Sequence, residues 1–485
     1  MKAQEKGQKG KMQISTKLLV SSLFVLLLAL PTFIFICKVA SKPEMQRLDR
    51  IKLDYSLTEE ELFGKLKKSI PSLEGGEFKS WIAENRFDKE SIDGKVFFLN
   101  SAVKNLFYRW PELGKRRIDL EDKTEIHKKL LNYIRLIKQT SQQENKHYVL
   151  PRRLLAEVEV KVKKNDDTPI FEGELIRAWL PIPRKYPYQN NFELISASPN
   201  PKNIDSETNT IRSIYFEDFA NKLENQDTMN NLSSKPKGSE GPKNIAEFYA
   251  KYTYETKSVY FDLKDLKGNH QPAISKERFQ KYTAEESQIE FSEKIKNLSS
   301  QLISSQDGDL IKAKKFYKWI ISNLQYSHVP EYSTMNNISE RLLEKGYGDC
   351  GQLSMLFITL CRYNQIPARW QSGWLLIPGW TTIHDWAEIY IEPFGWIPVE
   401  PYMGLFAKKY MPSLTDSERE EIADFYFGGL DSYRMIANAG HNEKLEPMKK
   451  HARSDSLDFQ RAELETENQN IYFNEFQYDL KVQEI

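Results

Sequence analysis

Three residues of this chain have the types and spacing for acyl chemistry: Cys350, His384 and Glu400, separated by 34 and 16 positions. Cys350 stands in "GDCGQLSMLF", where Leu353, Leu356, Phe357 and Leu360 repeat at helical spacing and Asp349 occupies the place of an N-cap. A helix that begins at Cys350 puts the sulfur at its positive end, where the dipole and unpaired N–H groups favour a thiolate. A cysteine so activated is a nucleophile, and an imidazole beside it can take and return the proton. His384 opens "HDWAEIYIEP", whose alternation predicts a strand. Glu400 ends the next predicted strand, "GWIPVE", after a turn at Pro393 and Gly395. An antiparallel hairpin of the two would set Glu400 beside His384. Asp385 adjoins His384, but strand alternation sends it to the opposite face and ranks it below Glu400. His328 and His441 lie in polar or loop-like stretches and read as structural.

The elements around this centre follow from the same patterns. Ile311, Ala313, Phe316, Tyr317 and Ile320 predict a helix ahead of the cysteine segment. Cys361 falls eleven residues beyond Cys350 on one predicted helix, about 16 Å away, too far for a disulfide. It reads as a small buried apolar residue. Trp370, Trp374, Trp380, Trp386 and Trp396 crowd the centre and read as core aromatics, some of which could border an acyl-donor cleft.

The stretch "GYGDCGQLSMLFITLCRYNQIPARWQSGW" (346–374) resembles the nucleophile segment of the transglutaminase-like superfamily of papain-like thiol enzymes, and "HDWAEIYIEPFGWIPVEP" (384–401) resembles its histidine and acid strands. The resemblance runs from Tyr326 to Gly404. It implies an α+β fold, a papain-like/transglutaminase-like core in which a helix carrying the cysteine packs on an antiparallel sheet carrying the histidine and the acid. It implies Cys350 as nucleophile, His384 as base and Glu400 as third member, where the family usually has aspartate. The implied activity is attack on a carboxamide or peptide carbonyl to give a thioester, resolved by water or by a second amine. That makes the chain a cysteine peptidase or a protein-glutamine acyltransferase, with a peptide or protein as substrate and no cofactor. A non-catalytic scaffold that keeps the fold is the alternative. The Cys350 backbone N–H is one expected oxyanion donor; Trp319, Gln325 and Tyr326 are candidates for the second.

The rest of the chain reads as framework. Residues 1–42 carry five lysines ahead of the apolar run 18–37, long enough to span a bilayer, and predict an extracytoplasmic protein (periplasmic, cell-surface or secreted) with an export signal, cleaved or uncleaved, or a membrane anchor at its start. Residues 43–148 form a helical accessory region that opens on a capping box at Thr58–Glu61. Residues 149–284 form a β-rich domain with strands in "LLAEVEVKVKK", "LIRAWLPIP", "IRSIYFE" and "FYAKYTYET" and a polar insertion near 221–244. Residues 285–405 are the catalytic core, and 406–485 an extension packing on it. A net charge of +1 argues against nucleic acid as a partner. No run of aspartates has EF-hand spacing and no Cys/His cluster has zinc-ligand spacing, so no metal is expected.

Overall fold

The structure is a computed structural model that describes residues 46–163, 169–221, 244–264 and 273–485. The predicted export segment and all but the ends of the predicted insertion 221–244 lie outside the described residues. Among the described residues no helix is long and apolar enough to cross a membrane.

After a helical stretch at 46–54, the N-terminal region continues with α1 (Glu59–Ser69), which starts on the capping box read from sequence: Glu61 N donates to Thr58 Oγ1 at 3.2 Å and Thr58 N to Glu61 Oε2 at 2.8 Å. With α2 (Gly75–Ala83) and α3 (Ala102–Arg109) it encloses a small core of Leu62, Leu66, Phe78, Trp81 and Leu106. A hairpin of β1 (Lys89–Ile92) and β2 (Lys95–Phe98) interrupts this region, which the sequence reading made wholly helical. Asp93 and Gly94 take left-handed backbone at its turn, φ +50° and +76°, the geometry a two-residue hairpin loop needs. α4 (Thr124–Glu144) buries Leu130, Leu131, Ile134 and Ile137 against the central core.

A β-sandwich follows. Its strands are β3 (Tyr148–Lys163), β4 (Leu175–Pro181), β5 (Gln189–Ser198), β6 (Asn203–Ile204), β7 (Ser213–Phe219) and β8 (Asn244–Tyr260). In β3 the residues Ala156, Val158, Val160 and Val162 are all buried while Glu157, Glu159 and Lys161 are not, the period of two seen in the sequence. They meet Ala178, Phe216 and Phe248 from the neighbouring strands.

Helices α5 (Lys276–Thr283), α6 (Glu293–Leu302), α7 (Asp309–Asn323) and α8 (Ile338–Lys345), with the short parallel pair β9 (Gln325–Tyr326) and β10 (Tyr347–Gly348), lead to the cysteine helix α9 (Cys350–Tyr363). Strands β11 (Ala368–Ile377), β12 (Trp380–Ile391) and β13 (Gly395–Val399) then run antiparallel, followed by α10 (Pro401–Tyr410) and α11 (Asp416–Phe425). Leu353, Leu356, Phe357 and Leu360 of α9 are fully buried in one core with Ala387, Ile389 and Ile397. The chain beyond 405 is part of the framework on both sides. β15 (Arg434–Asn438) is the fourth strand of the central sheet, in the order β13-β12-β11-β15. β14 (Gly429–Leu430), β16 (Glu463–Thr466), β17 (Asn470–Ile471) and β18 (Phe476–Glu484) join the sandwich.

Candidate active site

Cys350 is the first residue of its helix. The N-cap is Asp349, whose carboxylate accepts from Gln352 N at 3.1 Å and from the Tyr332 hydroxyl at 2.6 Å. As the first helical residue, Cys350 has no intrahelical acceptor for its own N–H, the expected oxyanion donor. Gly351 must lack a side chain, because a Cβ there would lie 2.1 Å from the Tyr332 oxygen.

The hairpin does what its alternation predicts. Gly395 turns the chain with φ +79°, Ala387 pairs with Val399, and the next residue, Glu400, swings back onto His384. His384 Nε2 and Glu400 Oε2 are 2.6 Å apart, with His384 1% and Glu400 0% exposed. This contact fixes the ring and leaves Nδ1 as the nitrogen able to take a proton. Trp386 lies against one side of the imidazole, 5.8 Å between ring centroids, and Tyr402 meets it edge-on at 4.9 Å.

Sequence reasoning missed what stands behind Glu400. Arg434, from β15, donates through Nη1 to Glu400 Oε2 at 2.8 Å and through Nη2 to Asp431 Oδ2 at 2.9 Å. Burial alone would raise the Glu400 carboxyl, but His384 and Arg434 outweigh it and hold it below the usual carboxylate range. The one available signal was Arg434 itself, a cation inside the apolar strand "YRMIANA", which burial would tolerate only beside carboxylates.

The thiol differs from expectation. Cys350 Sγ donates to Asp385 Oδ2 at 3.7 Å, and among the described residues no hydrogen bond joins it to the His384 ring. The two halves of the site, thiol with Asp385 and imidazole with Glu400, meet at the peptide bond between His384 and Asp385. Burial pushes the Cys350 thiol well up, and the Asp385 and Asp349 carboxylates push it further. The helix N-terminus was expected to lower it; around this sulfur two carboxyl groups oppose the dipole. Asp385 follows His384 on β12 and meets the thiol through Oδ2. Its other oxygen, Oδ1, accepts from Gln460 Nε2 at 2.7 Å.

Of the remaining predicted residues, Tyr326 lies next to the site and the others bind elsewhere. Gln325 spends its side-chain amide on Arg109 O, and Trp319 lies half-buried on α7. Tyr326 packs edge-on against Tyr402, 5.0 Å between centroids. Cys361 is fully buried, and burial raises its thiol. His328 and His441 bind away from the site, His328 N to Asn105 and His441 Nε2 to Ser287 O. Among the described residues no group of side chains could hold a metal ion.

Residues 296–401 match the family model for the transglutaminase-like superfamily. This part of the chain is a transglutaminase-like domain. The match takes in Cys350, His384 and Glu400, and ends as α10 begins. An uncharacterized protein of Haemophilus influenzae is 23% identical over 216 residues, which cover 38% of this chain and 57% of that protein. The chain therefore spans little more than half the length of the curated relative it matches. Among solved structures, a candidate cysteine protease from Cytophaga hutchinsonii aligns over 70% of this chain and 92% of its own, with 14% identity and a TM-score of 0.40. The periplasmic domain of TgpA from Pseudomonas aeruginosa aligns over 55% and 97%, with 10% identity and a TM-score of 0.29. The transglutaminase-like domain thus lies in the middle of a longer chain, after the helical region and strands β3 to β8 of the sandwich and before the strands that complete it.

Proposed function

We propose that this protein is an extracytoplasmic thiol enzyme that acts on carboxamide or peptide bonds through a Cys350 thioester. The observation that carries the reading is the buried His384–Glu400 pair at 2.6 Å, one residue from the carboxyl that touches a cysteine at a helix N-terminus. In the first step Sγ turns from Asp385 toward His384 Nδ1, the ring takes the thiol proton, and sulfur bonds to the carbonyl carbon. The oxyanion forms near the Cys350 N–H. The C–N bond then breaks as the imidazolium returns the proton to the leaving amine or ammonia. Water, or a second amine, attacks the thioester with His384 again as base, and the thiol is restored. With water the enzyme is a hydrolase; with a lysine amine it is an acyltransferase. Export through residues 1–42 belongs to the same proposal and rests on the lysines and the apolar run of that segment.

The test is intact-mass detection of an acyl adduct on Cys350 after exposure to peptide libraries, with Cys350→Ala as the control. An adduct in the native chain alone supports the reading. Amine release at equal rates from the native chain and from Cys350→Ala would remove the covalent step, and a native chain that neither acylates nor releases amine is the scaffold alternative.

A further inference from the structure

The mechanism gives no role to the group that Cys350 touches. Asp385 is 2% exposed and is held at both oxygens, Oδ2 by the Cys350 thiol at 3.7 Å and Oδ1 by Gln460 Nε2 at 2.7 Å. Gln460 is itself 4% exposed and is fixed through its backbone, where its carbonyl accepts from Trp374 Nε1 at 2.7 Å. Ser354, one turn along the cysteine helix, donates to the Asp385 carbonyl at 3.3 Å. Helix, strand and C-terminal segment therefore converge on one carboxyl group, and the atom they aim it at is the nucleophile.

We propose that Asp385, aimed by Gln460, is a latch on the nucleophile: thiol and carboxyl hold one proton between Sγ and Oδ2, and the sulfur stays protonated and turned from His384 until that contact is broken. The inference rests on the thiol-enzyme reading of the same site and adds a second carboxyl to it, with a role opposite to that of Glu400. Two acids in contact titrate as a pair, and losing the second proton would place two anions side by side. In Asp385→Asn that opposition is gone, because the amide is neutral and can give an N–H to the sulfur.

The charges around the pair stay in place in such a variant. Asp349 faces the sulfur from its own helix. His384 adjoins Asp385 on β12, and Glu400 and Tyr402 face the sulfur from the start of α10. Tyr326 and Tyr332 face it from the segment before the helix. Asp455 and Asp458 face Asp385 from the C-terminal segment.

The experiment is the rate of iodoacetamide alkylation at Cys350 against pH, read by peptide mass in the full chain, with buried Cys361 as the internal comparison. Asp385→Asn is expected to lower the pH midpoint by about one pH unit and to speed alkylation at pH 7 by about three- to tenfold. Gln460→Glu, which adds a carboxylate behind Asp385, is expected to raise the midpoint and slow the reaction. Opposite movement in the two variants supports the latch. An unchanged midpoint in Asp385→Asn, or a rise, overturns it. Should Asp385→Asn fail to fold, an unchanged or lowered midpoint in Gln460→Glu overturns it alone. The reagent needs no substrate recognition, so the two readings separate. Opposite shifts without any acyl adduct keep the latch and remove the enzyme; an adduct without the shifts does the reverse.

Discussion

Glu400 stands where the family usually has aspartate, and the structure accounts for the longer side chain. Its Oε2 must meet both the His384 ring and the Arg434 guanidinium while its Oε1 caps α10 by accepting from Met403 N. Two predictions belong at this scale. Glu400→Gln keeps the shape but cannot stabilise the imidazolium, so kcat/KM should fall by roughly a hundredfold or more, as in triads whose acid is removed, with KM little changed. Steady-state kinetics on any substrate found by acyl trapping would check it. Arg434→Met leaves Glu400 and Asp431 buried with no cation between them. Urea unfolding should show a loss of about 3–5 kcal/mol, because breaking a buried ion pair strands its partners. A loss below about 1 kcal/mol would mean that the pair is not buried as described.

At the scale of elements, the site depends on where α9 starts and on how closely its sheet is built. Asp349→Ala should cost about 1 kcal/mol for the lost cap and release Tyr332 as well, whereas Asp349→Asn should retain most of the cap. Paired melting curves of the two variants would show it. Gly373 lies opposite His384 on β11, and a Cβ there would come within 1.8 Å of the Met435 carbonyl oxygen. Gly373→Ala should therefore push β15 off the sheet and carry Arg434 away from Glu400, with loss of activity ahead of loss of the sandwich. Much of this level was legible beforehand. The cysteine helix, the His384 strand and the Glu400 hairpin follow from periodicity and turn residues, because each buries one regular face. β5 and β18 were not legible. Their sequences, "QNNFELISAS" and "FQYDLKVQE", keep few residues buried, and pairing with β8 and β3 rather than an apolar face defines them as strands. The Asp385 contact was hidden for another reason: alternation gives the side of a strand, not what packs against it.

Across the whole molecule, the N-terminal region, the core and the C-terminal segment meet in a band of half-buried acids. Glu331 accepts from Arg50 at 3.3 Å, its backbone N donates to Asp54 Oδ2 at 2.7 Å, and Asp455 lies near enough to repel it. Burial, then Asp455, pushes Glu331 up to about 7, and burial pushes Asp349 up to about 6. A carboxyl raised in the folded state contributes stability that is fully present below its unfolded value and is lost as pH rises through the folded one. For Glu331 that window runs from 4.5 to about 7. Glu331→Gln, neutral throughout, should therefore gain on the native chain between pH 5 and pH 8 by on the order of 2 kcal/mol, measured by urea unfolding at both values. A constant difference would show that Glu331 ionises freely.

The pairing of β18 with β3, Phe476 opposite Val162 through Glu484 opposite Leu154, has a consequence for biogenesis. Synthesis delivers Cys350 long before the strand that completes the sandwich, and before Arg434 and Gln460 as well. The nascent polypeptide thus carries its sulfur with neither its ion-pair support nor its restraint, and maturation of the centre waits for Arg434 and Gln460 to dock. Reactivity toward thiol reagents, followed during refolding, should consequently pass through a transient maximum.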